Sequence, residues 1–533
     1  EIEQVTLFIS NLNADKSIPV ISNTVLKNDQ GKKRTGNIKT LEYLFDFLNA
    51  YDFASEGAEE IQEENKSLIN ASVLGLIFEK INGYKDGSFF TPGFITMYMC
   101  RETIRKAVVQ KFSPLAPEGG IIASIEDIYD LIPQKITRQK ANEIINSIKI
   151  CDPAVGSGHF LVSALNEMIA VKSQLGILSD RSGKRLREVS IYVVNDALYI
   201  TDKETDEEHY YIAPKPRTEK TTKYIFGGDS FKHTVTSVSE RQRIQEALFH
   251  EKQTIIENCL FGVDINPNSV KICRLRLWIE LLKNAYYTPE SNFTALETLP
   301  NIDINIKCGN SLVSRFAIDS DLSQALKKSK WSIDMYRIAV DTYRNAENKE
   351  QKREMERLIA NIKSDFRNEI NKNDPIIKKL NELSGLLFIH LNQKKIFDQT
   401  EPEKKDFEDR TRFLESEINK RTIQNEEIKA NKIFENAFEW RFEFPEVLND
   451  NGDFAGFDVV IGNPPYFSIS TMESDIQNYF SLSGFETFTK NADIYCLFLE
   501  LAKKIGNEYA FNHFIISNKW LTANYGFKIR TFL

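Results

Sequence analysis

Long apolar runs are missing from this 533-residue chain. No stretch approaches the roughly 18 consecutive apolar residues of a membrane-spanning helix, and its opening does not read as a signal peptide. Cysteine and histidine are scarce, at six each. Cys100, Cys151, Cys259, Cys273, Cys308 and Cys496 form no CxxC pair, and the histidines stand apart from one another. That scatter argues against a dense zinc cluster and any metal site, and predicts reduced thiols in a cytoplasmic protein. An excess of positive charge is missing too. The formal net charge of −8 counts against a broad basic face for nucleic acid, while leaving room for a local groove.

Hydrophobic content of 41% and charged content of 27% are those of ordinary globular protein, and the length predicts two or three compact units. Residues 1–75 mix weak amphipathic helix with polar stretches and carry no defensible motif. A helix is expected from Phe94 to Val109 after the turn Thr91-Pro92-Gly93, and one or two more over Ile121 to Ile148. Short apolar strands then alternate with helices. They are expected at 147–151, 259–263, 302–307, 457–461 and 514–517, with helices over 268–284 and 493–505. Such alternation implies an α/β fold with a mainly parallel sheet covered on both faces.

Two segments interrupt the pattern. Residues 189–232 contain a hairpin signal over Ile191 to Ile200. Residues 318–439 are charged, poor in Gly and Pro, and helix-forming. Met355, Leu358, Ile359 and Ile362 space as a helical seam, which Phe413, Leu414 and Ile418 continue, and Asn373-Asp374-Pro375 marks a break. The division expected is an N-terminal region 1–75, a first catalytic-domain part 76–317, a helical insertion 318–439 and a second catalytic-domain part 440–533.

The residues with chemistry sit at successive strand ends, where open α/β sheets bind ligands. Asp152-Pro153-Ala154-Val155-Gly156-Ser157-Gly158 is a glycine-rich turn that lets a ligand approach backbone, without the Gly-Lys-Ser/Thr close of an ATP loop. Asp264 ends the second strand, where a carboxylate accepts from both ribose hydroxyls; a helix cap is its other reading, although Asn266-Pro267 offers a cap as well. Asn463-Pro464-Pro465-Tyr466 ends the fourth strand. The Asn463 oxygen and a carbonyl of the stiff Pro-Pro turn are suited to accept both hydrogens of a poorly nucleophilic amino group, such as adenine N6. Tyr466 offers a face for an extruded base.

On these residues the chain resembles the amino-methyltransferases of DNA, in the motif order of N6-adenine enzymes whose cofactor motifs come first. Ser88-Phe89-Phe90-Thr91-Pro92-Gly93 resembles the motif that closes over the methionine end of S-adenosylmethionine. Asp152 to Phe160 resembles the main cofactor loop, Val263-Asp264-Ile265 the ribose motif, and Cys308-Gly309-Asn310-Ser311-Leu312 the adenine-side motif. Many relatives carry Asp at the position of Asn310. The later stretches Ala492-Asp493-Ile494-Tyr495 and Ser517-Asn518-Lys519-Trp520 match as well. The run Ala437 to Val447 looks like a feature of type IIG restriction-modification enzymes and related phage-defence methylases.

The resemblance spans roughly residues 75–317 and 437–533. It implies a Rossmann-like class I methyltransferase fold, S-adenosylmethionine as cofactor, and duplex DNA with a flipped adenine as substrate. The cofactor residues it implies are Phe90, Thr91, Pro92, Asp152, Ala154, Gly156, Gly158, Asp264, Ile265, Asn310 and Ser311; the catalytic ones are Asn463, Pro464, Pro465 and Tyr466. Other readings are methylation of cytosine N4, where Ser more often replaces Asn463, methylation of protein glutamine, or a non-catalytic DNA-binding subunit. Glu403-Lys404-Lys405 and Glu79-Lys80 are the nearest scraps of a nuclease pattern, and no cleavage is assigned to them. The chain reads as part of something longer, with further strands, a second aromatic wall and a target-recognition domain expected beyond it; the resemblance to type IIG enzymes also leaves room for a fused nuclease outside it.

Overall fold

The computed structural model describes residues 16–49, 51–52, 67–68, 91–211, 240–318, 329–393 and 401–533, apart from short breaks of a few residues. Two compact units divide the chain, Glu1–Ile81 and Asn82–Leu533. In the first, a helix over Thr40–Asn49 accompanies an antiparallel pair, Ser17–Pro19 with Asn37–Lys39. A parallel pair joins Tyr51–Asp52 to Ser67–Leu68. Strands of two or three residues are too short to show alternation, so sequence reading found only helix and irregular chain there.

The second unit is built on strands β1 (Ile150–Asp152), β2 (Val189–Val194), β3 (Ala197–Asp202), β4 (Leu260–Asp264), β5 (Ile306–Cys308), β6 (Phe457–Gly462) and β7 (Gly506–Phe514). Five of them form one parallel sheet in the order β7-β6-β1-β4-β5. Successive side chains point to opposite faces. Ile150, Leu260, Val459 and Ile461 therefore join one core, while Cys151, Phe261, Val460 and Val263 join another. Both faces are covered, so β1 and β6 are buried at every residue and, apart from Asp152 and Asp458, carry no charge.

Helices α1 (Gly93–Phe112), α2 (Ile125–Leu131), α3 (Arg138–Asn146), α4 (His159–Gln174), α5 (Glu240–Cys259) and α6 (Pro267–Leu282) contribute to the first core. Ser124 and Asp127 form a capping box at the start of α2, and Thr137 caps α3. This fixes the expected one or two helices as two.

Three strands differ from expectation. β1 begins at Ile150 rather than Ser147, because Ser147 still closes α3. β5 begins at Ile306 rather than Ile302, because the Asn305 side chain turns inward and donates to the carbonyls of Ile256, Glu257 and Leu260. β7 begins at Gly506 and ends at Phe514, where the strand was expected to start. It is an edge strand with a bulge between the pairs Phe457–Gly506 and Val459–Phe511. Its half-exposed polar residues hide it from a search for apolar runs.

The β2–β3 hairpin closes on Asn195 and Asp196, both at positive φ (48° and 67°), as a two-residue turn demands. The rest of the interrupting segment, from residue 212 to 232, lies outside the described residues. Residues 333–430 hold helices α7 (Ile333–Arg344), α8 (Lys349–Lys372), α9 (Pro375–Gln393) and α10 (Glu401–Ala430). Ile359, Ile362 and Phe366 of α8 pack on Tyr336 and Val340 of α7 and on Phe442. Leu414 is buried, but Phe413 is 63% exposed and leaves the seam, being one residue off the buried stripe. Glu403 to Lys405 lie within α10, and Glu79-Lys80 falls outside the described residues.

Candidate functional site

Four neighbouring strands, β6, β1, β4 and β5, end at the same edge of the sheet. Each runs into a loop singled out in the sequence: Asn463 after β6, the glycine turn after β1, Asp264 at the end of β4 and Asn310 after β5. The chain builds outward from β1 to β4 and β5 and returns on the other side through β6, which makes β1/β6 a topological switch point.

The two glycines of the turn do different things. Gly158, at φ 83°, heads α4; a Cβ there would lie 2.5 Å from Cys273 Sγ, so this glycine lets α4 sit against α6. Gly156, at φ 53°, has no such neighbour, and a Cβ would meet nothing closer than Ala154 O at 4.0 Å. Its N–H donates to Asp264 Oδ2 at 2.9 Å, while Asp264 Oδ1 accepts from Asn266 N at 2.7 Å. The α6 cap is provided by Asn266, whose side chain accepts from Asn268 N at 2.9 Å. Ile265, between them, is 58% exposed.

Asp152 lies beneath the turn, buried, with Oδ1 accepting from Ala154 N at 3.0 Å. A Cβ on Gly462 would come within 2.6 Å of that same oxygen, so only glycine fits before Asn463. Burial pushes the Asp152 carboxyl up to about 8; the Ala154 N–H works against the rise, and Asp264 adds to it. The folded chain therefore keeps a proton that the unfolded chain releases near the ordinary value of 3.8. Stability from this group falls as pH rises through that window. Asp152→Asn keeps an acceptor for Ala154 and cannot ionise. Its melting temperature relative to wild type is expected to climb steadily from about pH 5 to about pH 8; a constant difference would contradict the burial argument.

After β5, Asn310 Oδ1 accepts from Leu312 N at 3.1 Å, and its backbone N–H donates to Asn436 O at 2.6 Å. Ser311 is buried, its hydroxyl donating to Pro153 O at 2.6 Å and its carbonyl accepting from Trp440 Nε1 at 2.9 Å. This loop is thereby tied to the glycine turn on one side and to the run Ala437 to Val447 on the other. Phe438 lies under Gly309, where a Cβ would come within 3.0 Å of it, and Glu439 accepts from Ser314 Oγ at 2.5 Å. Pattern matching marked the run 437–447 without showing that it braces Asn310.

Asn463 Nδ2 donates to Thr91 Oγ1 at 3.0 Å, joining two motifs that lie far apart in the chain. Thr91 is buried and Pro92 caps α1. His159 Nδ1 contacts Thr91 O at 3.3 Å; burial, aided by Arg276, pushes this imidazole down to about 3, so it is neutral. Pro464 is buried and Pro465 half-buried. Tyr466 donates to Ile515 O at 2.7 Å, its ring is 6.1 Å from that of Tyr495, and burial pushes its hydroxyl up to about 12. The chain beyond the tetrapeptide is pinned to Ala492-Asp493-Ile494 by Ile469 N to Ala492 O (2.9 Å) and Ile494 N to Phe467 O (3.0 Å). Phe90 lies outside the described residues. Among the described residues no group of three or more His, Cys, Asp or Glu could hold a metal, and no helix is long and apolar enough to cross a membrane.

Residues 258–399 and 370–533 match the model of the Eco57I restriction-modification methylase, together covering just over half the chain. The chain belongs to the Eco57I restriction-modification methylase family. With the five-stranded parallel sheet, that membership identifies a Rossmann-like methyltransferase fold. Residues 1–69 match a domain of unknown function, DUF7814. A relative from Methanocaldococcus jannaschii, provisionally named type II restriction enzyme and methyltransferase RM.MjaORFECS2P, is 25% identical over an alignment of 546 positions that covers 95% of this chain. The chain spans 39% of that relative's length. In this Eco57I-family methylase the loops after β6, β1, β4 and β5 lie at one edge of the sheet.

Proposed function

We propose that the protein methylates N6 of adenine in DNA, with S-adenosylmethionine as donor. The observation that supports this most is the contact of Asn463 with Thr91 at the switch point of a methyltransferase sheet. The cofactor supplies an electrophilic methyl group when bound. The residues present suit it: the open space at Gly156 accepts a ligand against backbone, and the Asp264 carboxylate matches the two hydroxyls of a ribose. Exposed Ile265 offers an apolar surface beside Asp264. Thr91 and Pro92 serve the methionine end, and Asn310 the adenine end.

Asn463 Oδ1 and a carbonyl of the Pro464-Pro465 turn accept the two hydrogens of the target amino group. Those acceptors favour a tetrahedral nitrogen and expose its lone pair, which is otherwise delocalised into the ring. Tyr466 provides a ring beside which the base is held once out of the helix. Its hydroxyl is already committed to Ile515 O, so the ring and not the oxygen does this work.

Two measurements test the reading. Base-modification sequencing of DNA from cells expressing the full-length gene is expected to show N6-methyladenine in one sequence context; unmodified adenine, or modified cytosine, would overturn the substrate. Calorimetric titration with S-adenosylmethionine is expected to give an affinity about 10- to 100-fold lower for Asp264→Ala, the range for losing hydrogen bonds to a charged group. Equal affinity in both proteins would remove Asp264 from the ribose site.

A further inference from the structure

We infer that Thr91, whose motif resembles a cofactor contact, is also the positioning residue for the Asn463 amide; this rests on the adenine reading above. An asparagine amide is planar and carries a donor corner and an acceptor corner. Here the donor corner, Nδ2, is held by Thr91 Oγ1 at 3.0 Å, which turns Oδ1 to the other side of the plane. A target amino group needs acceptors, so an amide rotated by half a turn would set donor against donor.

Thr91 is itself held from several directions. Its carbonyl meets neutral His159 Nδ1 at 3.3 Å. The turn continues into α1 through Ile95 N to Pro92 O (2.9 Å) and Thr96 Oγ1 to Gly93 O (2.9 Å). Behind it stands the hairpin tip: a Cβ on Gly93 would lie 3.2 Å from Asp196 Cβ. Asp196 is anchored in turn, its carboxylate accepting from Ser163 Oγ and its carbonyl from Asn166 Nδ2 at 2.9 Å. The β2–β3 hairpin thus backs the turn that holds the amide, a role its sequence did not announce.

The test compares Thr91→Val, which keeps the shape and removes the hydroxyl, with Thr91→Ser, which restores it, in the natural full-length protein. With duplex DNA carrying the mapped site, Thr91→Val is expected to lower the single-turnover rate about 3- to 10-fold, the net worth of one hydrogen bond. The rate is read at saturating S-adenosylmethionine, so that any cofactor affinity lost with the hydroxyl does not enter it, and Thr91→Ser is expected to recover most of the rate. A ligand-free readout accompanies it. In protein labelled with ¹⁵N-asparagine, the Asn463 side-chain resonance, identified by its loss in Asn463→Ala, should shift in Thr91→Val and return in Thr91→Ser. An unmoved resonance, an undiminished rate, a loss confined to cofactor affinity, or a loss that serine does not rescue would each overturn the inference. If wild-type protein binds S-adenosylmethionine but leaves adenine unmodified, the functional reading fails first and takes this one with it.

Discussion

Asn463→Ala is expected to lower the rate of methyl transfer in the full-length protein by about 100- to 1000-fold, the scale seen when one preorganised group facing a transition state is removed. Affinity for S-adenosylmethionine should change little. The asparagine lies at the end of β6, while the open glycine turn and Asp264 belong to β1 and β4. The split between rate and affinity is the informative part. Loss of both together would mean that alanine had collapsed the turn against Thr91; retained turnover would mean that the acceptors for the amino group lie elsewhere. Single-turnover kinetics alongside calorimetry separates these outcomes.

The second large effect is on stability and falls at Glu443. Its carboxylate lies 3.2 Å from Lys307 Nζ, 2.5 Å from Lys363 Nζ and 3.6 Å from Arg367. Burial alone would raise its pKa, but Lys307 and Lys363 hold it down at about 2. Burial and the charge of Lys363 push Lys307 down too, to about 7, against the pull of Glu443. The cluster joins β5 to α8 and to the segment after the helices, so Glu443 fastens the helical region to the sheet edge that leads to Asn310. Glu443→Ala leaves Lys307 and Lys363 facing each other without their counter-ion. Breaking a buried pair in this way costs about 3–5 kcal/mol. Denaturant unfolding should show that loss, and Glu443→Ala combined with Lys307→Met should recover part of it, because the stranded charge is gone. A double variant no more stable than the single one would deny Lys307 its part. The Glu443 contribution is present above its ordinary value of 4.5 and is lost as pH falls toward 2.

How much of this was legible beforehand depended on whether a residue's job was local. β1, β4 and β6 were legible because strands covered on both faces are mostly apolar, Asp458 notwithstanding, and such runs ending in Gly, Asp or Asn stand out. β7 was not. An edge strand with a bulge has a wet face, and Asn507, Glu508 and Tyr509 read as loop. Phe413 misled because a helix stripe tolerates an exposed aromatic one position away, and a spacing rule cannot tell Phe413 from Leu414.

At the site, the motif residues could be named from their order, but not their partners. Gly156 and Gly158 look alike in the sequence, and only Cys273, from another helix, shows that one is there for packing. Ser311 was grouped with the cofactor residues, and its hydroxyl is spent on Pro153 O. Asp196 was recognisable as a turn residue; that its turn would back Thr91 depends on contacts between segments far apart in the chain.

The fit of Gly462 over Asp152 bears on how this candidate site can be moved or altered. A side chain at 462 would force the Asp152 oxygen to move, so the tetrapeptide and the glycine turn are coupled through this contact. Drift at one position demands a compensating change at the other. A designer who grafts Asn463 to Tyr466 onto a different sheet would have to carry Gly462 and the Asp152 strand end along with it.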